Sequence, residues 1–213
     1  MRLYLSSQYW GDHPERLFEL IDDTKKVGIV TNSTDLFPEE GTLLRLENDI
    51  EYLKEKGFAA ERLDLRNYFE KSEQLEEKLS ELGLVWVIGG NTFVLRRAMQ
   101  QSGFDMLIKE MLENNHIVYG GFSAGSCVAG HTLRGIDIVD DIQSIPEGYK
   151  ADVIWDGLNL IPFAIAPHYQ SDHAESPGID KSVEYFKMNN IPHKALRDGE
   201  VYIVNGDKSE ILT

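Results

Sequence analysis

Gly121-Phe122-Ser123-Ala124-Gly125 sets one hydroxyl between small residues, after the apolar run His116-Ile117-Val118-Tyr119 and ahead of Ser126-Cys127-Val128-Ala129. The first run reads as a short buried strand and the second as the start of a helix. A tight strand-to-helix turn pushes its central side chain clear of the sheet and needs glycine where the backbone is crowded. It also aims helix-terminal N–H groups at the space beside the hydroxyl, which suits a nucleophile whose attack leaves an oxyanion. Serine is equally a good helix N-cap, so these five residues alone do not separate a nucleophile from a capped helix.

Two further features lie where such a serine needs them. Gly89-Gly90-Asn91-Thr92-Phe93 follows the apolar run Leu84-Val85-Trp86-Val87-Ile88, and its paired glycines offer a second oxyanion donor. Asn91 or Thr92 can cap the helix that follows. A base must come from His13, His116, His131, His168, His173 or His193. His116 falls at the wrong end of the serine strand, and His131 about two helical turns past Ser123. His168 follows the apolar stretch Leu160 to Pro167, at a strand's end, where it can take the serine proton and return it to a leaving amine. His173, in a polar loop, is the reserve.

The elements that must position these groups alternate. Leu3–Leu5, Lys26–Thr31, Phe58–Leu65, Leu84–Ile88 and the serine strand read as β. Pro14–Asp22, Gly41–Lys56, Lys71–Leu82, Phe93–Gln101 and Met106–Asn114 read as helical. In the helix at 41–56, Leu43, Leu44, Leu46, Ile50 and Leu53 recur at helical spacing, and Gly57 caps its end. The expected fold is α/β, a doubly wound, mostly parallel sheet flanked by helices in three layers, with ligands at the carboxyl ends of the strands. Val201–Val204, Asn205-Gly206 and Glu210–Leu212 add a C-terminal β-hairpin with a type I′ turn.

Composition bounds the function. The 213 residues, 42% of them hydrophobic, suit one domain over 1–213. A formal charge of −15 argues against nucleic acid or an anionic membrane as partner. Met1–Leu5 reads as a strand rather than a signal peptide, and no apolar run is long enough to span a bilayer. One cysteine, Cys127, excludes internal disulfides and fits a reducing cytoplasm; one turn beyond Ser123, it reads as a packed side chain.

Together, Gly89–Phe93, Gly121–Gly125 and Leu158-Asn159-Leu160 through Pro167-His168 resemble the peptidase E (aspartyl dipeptidase) family of serine peptidases, relatives of cyanophycinase. The resemblance runs from the opening strands to the Asp198-Gly199-Glu200 turn. It implies a class I glutamine amidotransferase-like (flavodoxin-like) fold and cleavage of short peptides bearing an N-terminal aspartate, without metal or cofactor. It makes Ser123 the nucleophile, His168 the base, and the N–H groups of Ala124 and Gly90 (or Gly89) the oxyanion hole. For the triad acid it implies an aspartate between serine and histidine, after the segment His131–Arg134. Asp137 is the nearest fit, with Asp140 and Asp141 as rivals.

The arginine with which the enteric enzymes hold the substrate aspartate has no counterpart in Ser176–Lys181. Lys181 can stand in only as a point charge. Arg134 is another candidate, while Arg96 and Arg97 fit a solvated helix face. Asp172, Glu175 and Asp180 could instead bind a substrate ammonium or a basic side chain. The expected activity is a serine dipeptidase acting through an acyl-enzyme. The alternatives are a cyanophycinase-like or isoaspartyl amide hydrolase and a catalytically silent binding member of the fold. The expected partner is a small peptide, with a homodimer as the base-rate assembly.

Overall fold

The computed structural model describes residues 1–213. Its elements are β1 (Arg2–Ser6), α1 (Pro14–Phe18), β2 (Lys26–Val30), α2 (Glu39–Glu55), β3 (Ala59–Arg62), α3 (Ser72–Ser80), β4 (Leu84–Val87), α4 (Thr92–Ser102), α5 (Phe104–Glu113), β5 (Val118–Phe122) and the one-turn α6 (Ala124–Cys127). They continue with β6 (Ala164–Ala166), α7 (Ser176–Met188), β7 (His193–Ala195), β8 (Val201–Asn205) and β9 (Lys208–Leu212). Seven strands form one sheet in the order β3-β2-β4-β5-β1-β8-β9, parallel through β1 and antiparallel at the β8–β9 edge.

β4 is apolar throughout because it is covered on both faces, as central parallel strands are. Side chains alternate across a strand. Val85 and Val87 therefore enter the core shared with Val94, Leu95 and Met99 of α4 and Phe104 and Ile108 of α5. Leu84 and Trp86 enter the core on the other face, with Leu46 and Leu53 of α2 and Tyr4 of β1. Trp86 also stacks on Trp10 at 4.0 Å between ring centroids. Each such side chain contributes about 1.5–3 kcal/mol on burial, so the two cores fix the rows of strand ends that carry the loops.

Four details depart from the sequence reading. The buried stripe of α2 is Thr42, Leu46, Asp49 and Leu53, while Leu43 and Leu44 face outward. Burial of Asp49 is made tolerable by Arg45, whose Nε lies 2.8 Å from Oδ2. Arg96 and Arg97 are buried rather than solvated. Arg96 holds Asp105 and the Asp156 carbonyl, and Arg97 holds the carbonyls of Ser144, Ile142, Ala151 and Asp152, so the two guanidinium groups pin the long 135–160 connection to α4.

The apolar stretch before His168 gives only the short β6, which pairs in parallel with β7 in a separate two-stranded sheet. The hairpin turn is Gly206-Asp207, closed by the Asn205–Lys208 pair. It has positive φ at Gly206 alone, the II′ pattern in place of I′.

Candidate active site

Three parallel neighbours, β4, β5 and β1, bring their carboxyl ends together, and their loops meet over Ser123. The serine lies at the bend after β5 with φ 49° and ψ −115°. A side chain holds that conformation only under outside constraint. Here the constraints are explicit. The Ser123 N–H donates to the carbonyls of Ser7 (3.1 Å) and Ser6 (3.3 Å) at the end of β1. Ser126 Oγ donates to Ser6 O at 2.7 Å, and Tyr119 Oη to Gly125 O at 2.7 Å. Gly125 has no room for a side chain, since a Cβ would stand 2.3 Å from Val87 O.

The β4 loop closes in from the other side. A Cβ at Gly89 would meet Ser123 Cβ at 3.0 Å, so glycine is what lets this backbone reach the serine. Gly90 follows with φ +143°. Asn91 then caps α4, its Oδ1 accepting from the N–H groups of Phe93 (2.9 Å) and Val94 (3.0 Å). The N–H groups of Gly90 and Ala124 make no hydrogen bond within the protein.

His168 arrives from β6, also with positive φ (58°), and is only 2% exposed. Its N–H donates to Ser7 Oγ at 2.7 Å, and its Nδ1 lies 2.7 Å from Asp198 Oδ1. Ser7 Oγ is also 2.9 Å from Asp198 Oδ1, so one hydroxyl ties both residues to the end of β1. The Asp198 N–H donates to Ser171 Oγ at 2.8 Å. Burial pulls the His168 imidazole below its ordinary value, and the hydrogen bond that its Nδ1–H donates to Asp198 opposes this. With Nδ1 bound to the carboxylate, Nε2 is the nitrogen left for proton transfer.

Ser123 and His168 line one cavity of about 140 Å³ together with Gln8, Tyr9, Gly89, Gly90, Phe122, His173 and Glu175. No direct hydrogen bond joins Ser123 to His168. His173 stacks on His168, with ring centroids 3.7 Å apart and planes 8° from parallel. The Glu175 N–H donates to His173 Nδ1 at 3.2 Å. His168, His173 and Glu175 each bring a donor atom within 4.8 Å of the others, a spacing that could suggest a metal site. Imidazole lone pairs lie in the ring plane, however, and two stacked rings cannot both aim them at one ion about 2.1 Å away.

Asp137, Asp140 and Asp141 do not reach His168. Asp137 is exposed and accepts from the Gly135 N–H at 2.8 Å. Asp141 accepts from Gln143 N and Ser144 Oγ. Asp140 is drawn to the N-terminus of α4, where its Oδ2 accepts from the Thr92 N–H at 2.8 Å; burial pushes its pKa up to about 6. The physical reason is that the 135–160 connection packs over α4 rather than over the histidine. Lys181 is exposed on α7 and outside the cavity, and Arg134 lies over the Trp155 ring. Cys127 is buried and its thiol is pushed well up by burial, so it is no rival nucleophile.

Asp198 and Ser7 are the residues the sequence reading missed. The available signal for Asp198 was a short strand, β7, ending just before it. In the parallel pairing Ala166 faces Ala195, so the residues just beyond those two ends, His168 and Asp198, come side by side. Nothing in the sequence singled out Ser7.

Residues 46–212 match peptidase family S51. The chain is 32% identical over 143 residues to a Drosophila melanogaster protein named probable alpha-aspartyl dipeptidase, covering 64% of this chain and 56% of that protein. Peptidase E of Streptomyces coelicolor is 29% identical over 153 residues, covering 69% of this chain and 58% of its own length. The chain thus spans a little over half the length of these two relatives. Peptidase E of Shewanella baltica aligns over 215 residues at 26% identity, covering 99% of this chain and 86% of its own. A candidate peptidase E from Listeria monocytogenes superposes with a TM-score of 0.81 at 22% identity, covering 99% of this chain and 97% of that one, which speaks to the fold.

Proposed function

Because the chain belongs to peptidase family S51 and is a hydrolase of the serine type by that membership, we propose that it cleaves short peptides through Ser123, His168 and Asp198. The observation that carries this reading is the strained, outward-facing Ser123 in one cavity with a histidine whose far nitrogen is held by a carboxylate. On this reading Asp198 takes the role that the family resemblance implied for Asp137.

The chemistry follows from the positions. Ser123 Oγ attacks the peptide carbonyl carbon while His168 Nε2 takes its proton. The carbonyl oxygen becomes an oxyanion, received by the N–H groups of Gly90 and Ala124; each such donor elsewhere is worth about 3 kcal/mol. Asp198 keeps the imidazole in the tautomer with Nε2 free and stabilises the imidazolium. The C–N bond then breaks, and His168 returns the proton to the leaving amine. Water, deprotonated by His168, cleaves the acyl-serine ester and regenerates the hydroxyl.

A cavity of about 140 Å³ supports action on small substrates rather than on folded protein. Its lining holds no lysine or arginine, so the aspartate-first preference has no cationic support among these residues. A single buried cysteine suits work in a reducing cytoplasm. The test is release of free amine from a panel of dipeptides by the wild type and by Ser123→Ala. Cleavage that falls at least about a thousandfold in Ser123→Ala is the expected result. Equal cleavage by both proteins, or cleavage by neither, overturns the reading.

A further inference from the structure

The cavity beside Ser123 holds one acidic side chain and no basic one except histidine. That acid, Glu175, stands immediately before α7, and its carboxylate has no ion pair and no hydrogen bond; its polar contacts are all through its backbone, the N–H to His173 and the carbonyl to the N–H groups of Gly178 and Ile179. A carboxylate oxygen of Glu175 lies within 4.8 Å of a ring nitrogen of His168. Its neighbour Asp140 is a second acid, turned away to Thr92. Arg45 stacks over the rings of two lining residues, Tyr9 (4.1 Å) and Phe122 (5.0 Å), and is already paired with Asp49. An unpaired carboxylate in a lined cavity is a binding element for a cation that arrives with the ligand.

Resting on the peptidase reading above, we propose that Glu175 is the specificity residue of this cavity. It binds the free α-ammonium of the residue whose carbonyl Ser123 attacks, and its charge sets the cavity against an acidic side chain on that residue. In a peptide the α-nitrogen is two bonds from the carbonyl carbon. That nitrogen is a charged ammonium, the partner a carboxylate favours, only when the residue under attack is the first of the chain. Glu175 thereby restricts cleavage to the first peptide bond, and an N-acylated peptide loses the anchor. An aspartate at the first position adds a second carboxylate to a site that already holds one, with no lysine or arginine in the lining to offset the pair.

Two measurements test this. The first is calorimetric binding of alaninamide and N-acetylalaninamide to the Ser123→Ala protein, with and without Glu175→Gln. The expected result is at least tenfold tighter binding of alaninamide, with the preference abolished by Glu175→Gln and partly kept by Glu175→Asp. The second is turnover of Ala-Ala, Asp-Ala and N-acetyl-Ala-Ala by the wild type and Glu175→Gln. Ala-Ala is expected to be the best substrate, and Glu175→Gln to lower its kcat/KM about ten- to a hundredfold, the loss of one charge-assisted hydrogen bond. The same substitution narrows the gap to Asp-Ala.

A wild type that favours Asp-Ala overturns the proposal, as does alaninamide binding indifferent to Glu175. Ser123-dependent turnover with no effect of Glu175→Gln overturns it while leaving the peptidase reading intact. Glu175-dependent binding of alaninamide without any turnover has the opposite meaning: the ammonium site stands and the peptidase reading falls.

Discussion

His168 Nδ1 and Asp198 Oδ1 are 2.7 Å apart across 30 residues of chain, each standing just beyond the end of one of two paired parallel strands. Ser7, from the other end of the sequence, bonds to both. The carboxylate on His168 therefore follows the histidine in the chain, where the family resemblance implies one before it.

That order makes a direct prediction. Asp198→Asn keeps the shape but removes the charge that holds the imidazole tautomer, and kcat falls roughly a thousandfold or more. Asp137→Asn, at an exposed site bonded only to Gly135 N, changes kcat by no more than about twofold. Steady-state kinetics on any cleaved dipeptide separates the two; the reverse pattern would return the acid to the 137–141 segment.

The pH profile follows from His168. Burial lowers its folded pKa beneath the unfolded value of about 6.5, so the neutral base persists into more acid solution. The acid limb of kcat/KM is expected to have its midpoint below pH 6.5. The charge of His173 pushes in the same direction, while Asp198 and Glu175 oppose it. His173→Ala also uncovers the ring, so the limb moves to higher pH. A wild-type midpoint above 6.5 contradicts the assignment of His168 as base.

Ser123 contributes strain to the folded state. Glycine tolerates φ near 49° far better than serine does, and relief of such strain outweighs the entropy that glycine adds to the unfolded chain. Ser123→Gly is expected to be inactive yet more stable by about 1 kcal/mol, a rise of about 3 °C in Tm by calorimetry. A lower Tm would mean that the turn is relaxed.

Asp140 offers a stability test independent of activity. Its folded pKa is raised from 3.8 to about 6, chiefly by burial. Its stabilising contribution is complete below the unfolded value and is lost as pH rises through the folded one. At pH 8 the buried charge therefore costs stability, on the order of 3 kcal/mol. Asp140→Asn, which can still accept from Thr92 N, is expected to raise the urea midpoint at pH 8 and to leave it nearly unchanged at pH 4. An equal change at both pH values would show that hydrogen bonding rather than charge governs the site.

What the sequence determined by itself was local or periodic. The apolar run at 84–88 and the glycines at 89, 90, 121 and 125 sit in strands and turns whose form depends on nearby residues, so the serine turn and its companion loop were readable directly. His168 was readable because a short apolar segment and a proline precede it. Only the tertiary structure decided which carboxylate meets that histidine, because the choice rests on the pairing of β6 with β7 and on Arg96 and Arg97 drawing the 135–160 connection onto α4. The same holds for the phase of α2. Helical spacing allows two apolar faces there, and the packing of Leu46 and Leu53 against the sheet selects one, leaving Leu43 and Leu44 in solvent. Glu175 was visible as one of several acids. What singles it out is the cavity it shares with Ser123, which no spacing along the chain encodes.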